Sequence, residues 1–260
     1  MSVAANDNLT SAADAPLEPL RLQPIKALRA LSRLLKNKED TEQVFIIMRA
    51  LSGRSAAKGY SKLLKTAKGG RIAFRHEEIA KTLSDTEFLK GLPAGSVGAA
   101  YLHFTTSENI SAQGLIDESR KVESDRDIDR EHPIAWYGRR LRDIHDLWHV
   151  LTGYGRDGMG EACLVAFSYA QTRSPGFGLM GLAAAFKLKR EVPNQPMLKA
   201  VWQAYQNGRK AAWLPGEDYI ALLSEPLDAA RARLNIPQPT LYQNMPDEIR
   251  ANGMTPAMAA

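Results

Sequence analysis

Residues 133–172 read PIAWYGRRLRDIHDLWHVLTGYGRDGMGEACLVAFSYAQT, and the fold turns on this stretch. Pro133 suits the first turn of a helix and Gly153 is a strong stop, so a helix is expected from Pro133 through Thr152. At about 1.5 Å per residue it would run about 30 Å. Gly153, Gly155, Gly158 and Gly160 punctuate a turn, after which Glu161 opens a second helix reaching Thr172 and running back along the first. On the first helix His149 lies roughly 40° around the axis from His145, and Asp146 roughly 100° from it. These three side chains share one side of the helix, and the turn can bring Glu161 to face them. Two imidazoles and two carboxylates form a nitrogen–oxygen donor set suited to zinc, iron, cobalt or manganese. A lone buried histidine is more often a satisfied core residue. Two in register with two acids point to a divalent metal site.

Tyr137, Leu141 and Trp148 give the ligand-bearing helix an apolar, aromatic face. Its partner is built from small and flat residues, Ala162, Cys163, Val165, Ala166, Phe167 and Ala170. Gly178, Gly181 and Ala183 to Ala185 make a second narrow helix. Small residues either let helices pack closely or leave an apolar channel between them for a long ligand. Further helices are expected over Thr41–Leu51, Ser55–Ala67 ended by Gly69-Gly70, Val97–Thr106 capped by Ser96, Gly178–Lys189 and Pro196–Ala212. Two short ones follow, around Tyr219–Leu223 and Leu227–Leu234. Strand-like alternation is scarce and no βαβ rhythm appears. The expected architecture is one all-α domain, a single-domain helical bundle over 21–245. A disordered lead-in over 1–20, a flexible tail over 246–260 and a polar loop from Ile110 to Arg130 complete it.

The 44% hydrophobic and 24% charged composition is that of an ordinary globular chain. The single cysteine, Cys163, excludes a disulfide framework and a cysteine-built zinc finger. No apolar run approaches the roughly 18–20 residues of a membrane-spanning helix. The first nineteen residues carry Asp7, Asp14 and Glu18 and no Lys or Arg, unlike a secretory or mitochondrial leader, so a cytoplasmic bacterial protein is expected. Charge is uneven: Arg21 to Arg71 holds thirteen Lys and Arg against three acids, a local +10 in a chain of net +5. Within it Ile25, Leu28, Leu31 and Leu35 recur at helical spacing beside Lys26, Arg29, Arg33 and Lys36. That amphipathic helix is either a core helix with a solvated basic face or a membrane-surface element. No glycine-rich phosphate loop or aromatic RNA-binding signature supports a nucleic-acid partner.

With these residues in view, the sequence resembles the coenzyme Q (ubiquinone) biosynthesis protein four family. His145, Asp146, His149 and Glu161 match its signature within RLRDIHDLWHVLTGYGRDGMGEA. LPAGSVGAAYL at 92–102, WQAYQNGRKAAWL at 202–214 and SEPLDAARARLNI at 224–236 match its flanks. The resemblance spans roughly 35 to 240. It implies an all-helical protein peripheral to the inner membrane, often a homodimer, binding prenyl lipid between helices. It further implies metal-dependent oxidative decarboxylation of a polyprenylated 4-hydroxybenzoate-type precursor, the C1 carboxylate giving way to hydroxyl. The implied metal ligands are His145, Asp146, His149 and Glu161. Asp143, Arg142 and Tyr137 are candidates for the surrounding shell or for holding the substrate anion. Asp143 stands where the family more often has Glu, and Ala99 where it often has Arg; Arg139, Arg140 and Arg142 offer a basic entry. The family also implies an alternative role, a non-catalytic lipid-binding scaffold for other ubiquinone-biosynthesis proteins. A metal-dependent phosphohydrolase, with His103 or His132 as a further ligand, fits the Glu161 spacing less well.

Overall fold

The computed structural model describes residues 21–37, 40–111, 114 and 132–251. Among them are sixteen α-helices and no strand. The first seven are α1 Pro24–Lys36, α2 Thr41–Ser52, α3 Ser55–Leu63, α4 Ala67–Arg75, α5 Ile79–Ser84, α6 Thr86–Lys90 and α7 Val97–Ser107. The functional stretch supplies α8 Pro133–Asp143, α9 His145–Thr152 and α10 Gly158–Thr172. Then come α11 Pro175–Glu191, α12 Met197–Lys210, a 3-10 turn Leu214–Gly216, α13 Tyr219–Leu222, α14 Leu227–Arg233, α15 Thr240–Gln243 and α16 Asp247–Ala251.

The all-α expectation is met. The main core gathers the inner faces of α7, α9, α10, α11 and α12 around Leu147, Leu151, Leu164, Phe167 and Leu188, all fully buried. α10 lies at its centre and packs chiefly on α12 and α11. A smaller cluster joins α1, α2 and α11 through Ala30, Leu34, Ile47 and Met180. Another joins α3, α4 and α8 through Leu63, Ile72 and Trp136.

Small residues set these spacings. A methyl group at Gly208 would stand 2.7 Å from the Phe167 carbonyl oxygen and 2.9 Å from Ala170 Cβ. One at Gly181 would touch Val165 and Ala166. At these positions, where a channel is one expectation, the small side chains instead let α10, α11 and α12 approach closely.

The structure corrects several expectations. The helix expected from Pro133 to Thr152 is two helices, divided at Ile144, whose ψ of -1° interrupts the ladder while its side chain is fully buried. Gly69 and Gly70 end nothing: the chain breaks after Leu63, Thr66 caps α4 by accepting from Gly69 N at 3.0 Å, and both glycines lie inside that helix. A Cβ at Gly69 would fall 1.9 Å from the Leu63 carbonyl oxygen, which accounts for glycine there. On α1 the buried face is Ala27, Ala30 and Leu34, not the stripe of larger residues; Ile25 is 66% and Leu28 55% exposed. Alanines admit α2 closely; Ile25 and Leu28 are rotated off the contact, while Leu31 packs half-buried against it. Asp247–Ala251, within the expected tail, is helical, with Ile249 packed on the core. The lead-in over 1–20, residues 252–260 and most of the Ile110–Arg130 loop lie outside the described residues.

The matching flanks meet in space. The amides of Val97 and Gly98, opening α7, donate to the carbonyls of Glu225 at 2.9 Å and Leu223 at 2.8 Å. Arg231 of α14 reaches the last turn of α9, donating to the carbonyls of Val150 and Leu151 at 3.0 Å each. The helix that carries the two histidines is thereby braced at its carboxyl end.

Candidate metal centre

His145, Asp146 and His149 follow directly from the first two turns of α9, all buried. One ligand atom of each lies within 4.8 Å of the others, an arrangement that could hold a metal ion. The imidazole rings stand 5.0 Å apart, nearly perpendicular. Glu161 arrives from the first turn of α10, its Oε1 3.4 Å from His149 Nε2. The turn that delivers it is held by Asp157, which accepts from the amides of Met159 at 3.1 Å and Gly160 at 2.9 Å. The Tyr242 hydroxyl donates to the other Asp157 oxygen and accepts from Gly155 N at 2.9 Å.

The donor atoms fit a cation. His149 Nε2 and Glu161 Oε1 are both buried without a hydrogen bond, a costly state for two polar atoms facing one another. Each histidine's other nitrogen is engaged. His149 Nδ1 lies 2.9 Å from the Tyr154 carbonyl, which orients Nε2 inward, and His145 Nδ1 lies 3.3 Å from Asp146 Oδ1.

Burial alone would push the His149 imidazolium down, but the Glu161 carboxylate overrides it and holds the pKa above the ordinary value. Burial would likewise raise Glu161 and Asp146; the histidines and Arg156 instead keep both carboxyls below the usual range. A metal ion bound through His149 would therefore have to displace a proton held to higher pH than on a free imidazole. The gain in Tm on adding metal should shrink as pH falls and grow as it rises, read by thermal melts at fixed metal concentration. A gain independent of pH would exclude His149 as a ligand.

Other expected residues fall elsewhere. Arg142 pairs with Asp143 at 2.7 Å, so Asp143 does not orient either histidine through that oxygen, and its Oδ2 is buried without a hydrogen bond. Tyr137 packs beside Gly59, Tyr60 and Trp136 in the α3–α4–α8 cluster. Arg139 pairs with Glu78 at 2.7 Å, and buried Arg140 donates to the backbone carbonyls of Pro215 and Glu217. This basic run braces the fold. His132 caps α8 through Nδ1, and His103 is exposed on α7; neither joins the cluster.

Two residues were not singled out by sequence. Phe104 of α7 stacks on the His149 ring at 5.4 Å, an apolar wall against the cluster. Arg156, in the glycine-rich turn, is 3% exposed; its nearest carboxylate contact is Glu108 at 4.0 Å, and one guanidinium nitrogen is buried with no partner. An arginine between glycines reads as a solvated turn residue, and only the fold reveals its burial.

The description "Coenzyme Q (ubiquinone) biosynthesis protein Coq4" belongs to a family model that matches residues 16–240. The mitochondrial ubiquinone biosynthesis protein COQ4 homolog of Bos taurus is 29% identical over 180 residues, 69% of this chain and 65% of that protein. The COQ4 protein of Scheffersomyces stipitis is 25% identical over 72% of this chain and 56% of its own length. Both matches span less than two thirds of the relative. A crystal structure from Nostoc punctiforme superposes with TM-score 0.62 at 20% identity, over 83% of this chain and 99% of that one, and shares its fold. With the family model covering most of its length, the chain belongs to the coenzyme Q (ubiquinone) biosynthesis protein Coq4 family.

Proposed function

We infer that this protein acts in ubiquinone biosynthesis as a metal-dependent enzyme, catalysing oxidative decarboxylation of a polyprenylated 4-hydroxybenzoate-type precursor. The observation that carries this reading is the pair of orphaned buried atoms, His149 Nε2 and Glu161 Oε1, beside His145 and Asp146. In the reaction the bond from ring carbon C1 to the carboxylate breaks and carbon dioxide leaves. The electron pair left on the ring passes to dioxygen, which leaves as hydrogen peroxide, and C1 gains a hydroxyl whose oxygen comes from water. His145, Asp146, His149 and Glu161 would hold a divalent ion, zinc or a redox-active iron, cobalt or manganese. Such an ion supplies Lewis-acid polarisation and, where redox-active, electron transfer.

The chain's own groups bind and orient. Arg156, with a free buried donor whose charge reaches Asp146 and Glu161, grips the ring carboxylate. Phe104 offers its face to the aromatic ring and the start of the prenyl tail, where each buried methylene contributes about 0.8 kcal/mol. Exclusion of water from this buried cluster strengthens both contacts. Arg156→Gln should weaken binding of 4-hydroxybenzoate by roughly 10-fold or more, in line with loss of a charged hydrogen bond. Hydroquinone, which lacks the carboxylate, should bind the variant and the wild type alike; equal losses for both would deny Arg156 this role.

The test of the reaction is made in a strain lacking its own Coq4-family protein. The wild-type chain should restore ubiquinone, while His149→Ala at equal abundance should accumulate the ring-carboxylated precursor, identified by mass spectrometry. Normal quinone without precursor would end the catalytic reading. The scaffold reading predicts instead that metal-ligand variants lose the partner enzymes' association along with quinone. A homodimer peripheral to the bacterial inner membrane completes the proposal. It draws on the exposed Leu182 and Phe186 of α11 and Trp202 of α12, and Trp202→Glu should sediment as a monomer where the wild type sediments as a dimer.

A further inference from the structure

A second recess lies away from the metal centre. It is a cleft of about 900 Å³ bounded by the start of α3, the turn between α10 and α11 and the end of α12. Ala170, on its wall, is nine residues beyond Glu161 on α10, about 13 Å farther along that helix. Six cationic side chains line it, Arg21, Arg54, Lys58, Lys62, Arg173 and Arg209, and among the described residues no Asp or Glu does. None of the six forms an ion pair with a carboxylate among the described residues.

Aromatic surfaces hold two of these cations in place of acids. The Lys62 ammonium sits 4.3 Å from the centre of the Trp213 ring. Arg173 donates to the Tyr205 hydroxyl at 3.2 Å and lies over the Tyr169 and Tyr205 rings. The crowding is felt: burial and the charge of Arg173 both lower the Lys62 pKa. Helix ends explain part of this charge, since Arg173 and Arg209 follow or end α10 and α12, where cations suit the dipole. Lys62, in the last turn of α3, shares that explanation; Arg54, which stands at the start of α3, and Lys58 within it do not. A concave, uncompensated cationic surface concentrates anions.

Its composition narrows the anion. Guanidinium forks and flexible ammonium groups together match phosphate oxygens. The Trp213 face is taken by Lys62 and Tyr137 is buried, so the lining presents no free ring on which bases would stack. Leu22 stands in the lining, and Ile25 and Leu28, three and six residues farther along the chain, are also exposed apolar side chains.

We propose that this cleft is a phosphate-ester site, separate from the metal centre, taking a ligand with one or more anionic phosphate groups. Arg54, Lys58 and Lys62 grip from α3, and Arg173 and Arg209 close from the opposite wall. The ester is a phospholipid headgroup whose chains lie over Leu22, Ile25 and Leu28, or a soluble phosphorylated molecule; both present the same chemistry.

The experiment uses the full chain with two probes. Inorganic pyrophosphate is titrated by calorimetry, and flotation is measured with phosphatidylcholine vesicles with and without phosphatidylglycerol. Arg54→Gln with Lys58→Gln removes two exposed cations of the cleft. Arg190→Gln with Lys199→Gln removes equal charge far from it, at the other ends of α11 and α12. Thermal melts verify that both variants are folded, and Lys62→Gln serves as a second cleft variant. Either probe should bind the wild type and the control pair alike and lose 10-fold or more in affinity with the cleft variants. Pyrophosphate binding with that pattern identifies a soluble ester; phosphatidylglycerol-dependent flotation alone identifies a headgroup. The proposal is overturned where neither probe binds, or where cleft and control variants lose equally, which would mean diffuse charge only.

Discussion

His149→Ala is expected to weaken divalent-metal affinity by more than about 100-fold, since loss of groups that merely orient a metal ligand already costs about 10–100-fold. The substitution removes Nε2, which faces Glu161 Oε1 across 3.4 Å, and leaves Glu161 without the imidazole that chiefly holds it ionised. It also frees the Tyr154 carbonyl and opens space beneath Phe104. That part of the damage, roughly 1–3 kcal/mol, is structural and present without metal. His149→Gln retains much of the bulk and so divides the two effects. Competition with a chromophoric chelator reads the affinity directly. Retention of metal at wild-type affinity in both variants would remove His149 from the centre.

Gly160→Ala should be almost as damaging, through geometry alone. A Cβ there would stand 2.1 Å from the Gly155 carbonyl oxygen, backbone against backbone, with no flexible side chain to yield. The turn must open, which loosens the Asp157 cap and displaces Glu161, the next residue. A cost of about 3 kcal/mol is expected, at the upper end for forced overpacking. For a chain of this size that lowers Tm by roughly 10 °C. Metal affinity should fall with it, and added metal should recover less of the lost Tm than in the wild type. A variant that melts and loads normally would show that the turn has slack the close contact denies.

The candidate cluster was legible because its residues are close in sequence. Helical spacing brings His145, Asp146 and His149 to one side, and regular glycines announce a reversal before Glu161. Helix starts were equally readable, Ser96 capping α7 and Pro133 opening α8, since their chemistry is local. Long-range packing decided the rest. Ile25 and Leu28 look like a core stripe, but α2 and α11 accept the alanine face of α1, so the larger residues stay in water. Gly69-Gly70 looks like a stop, yet the pair serves a close approach to Leu63 inside α4. Arg140, Arg142 and Tyr137 look like site residues by proximity in the chain; helix rotation and the break at Ile144 turn them to other partners. Arg156 carries no periodic signal, and its burial follows from how the turn packs.

The clamp on that turn sets an order of events during synthesis. All four donors emerge from the ribosome together, but the hydroxyl that pins Asp157 belongs to Tyr242, 85 residues later. A nascent chain that has only reached α11 owns the donors without the restraint that seats Glu161. On the proposed metal role, secure ion loading would wait until translation is nearly finished, and a polypeptide released before Tyr242 would exchange an added ion quickly even with every candidate donor in place.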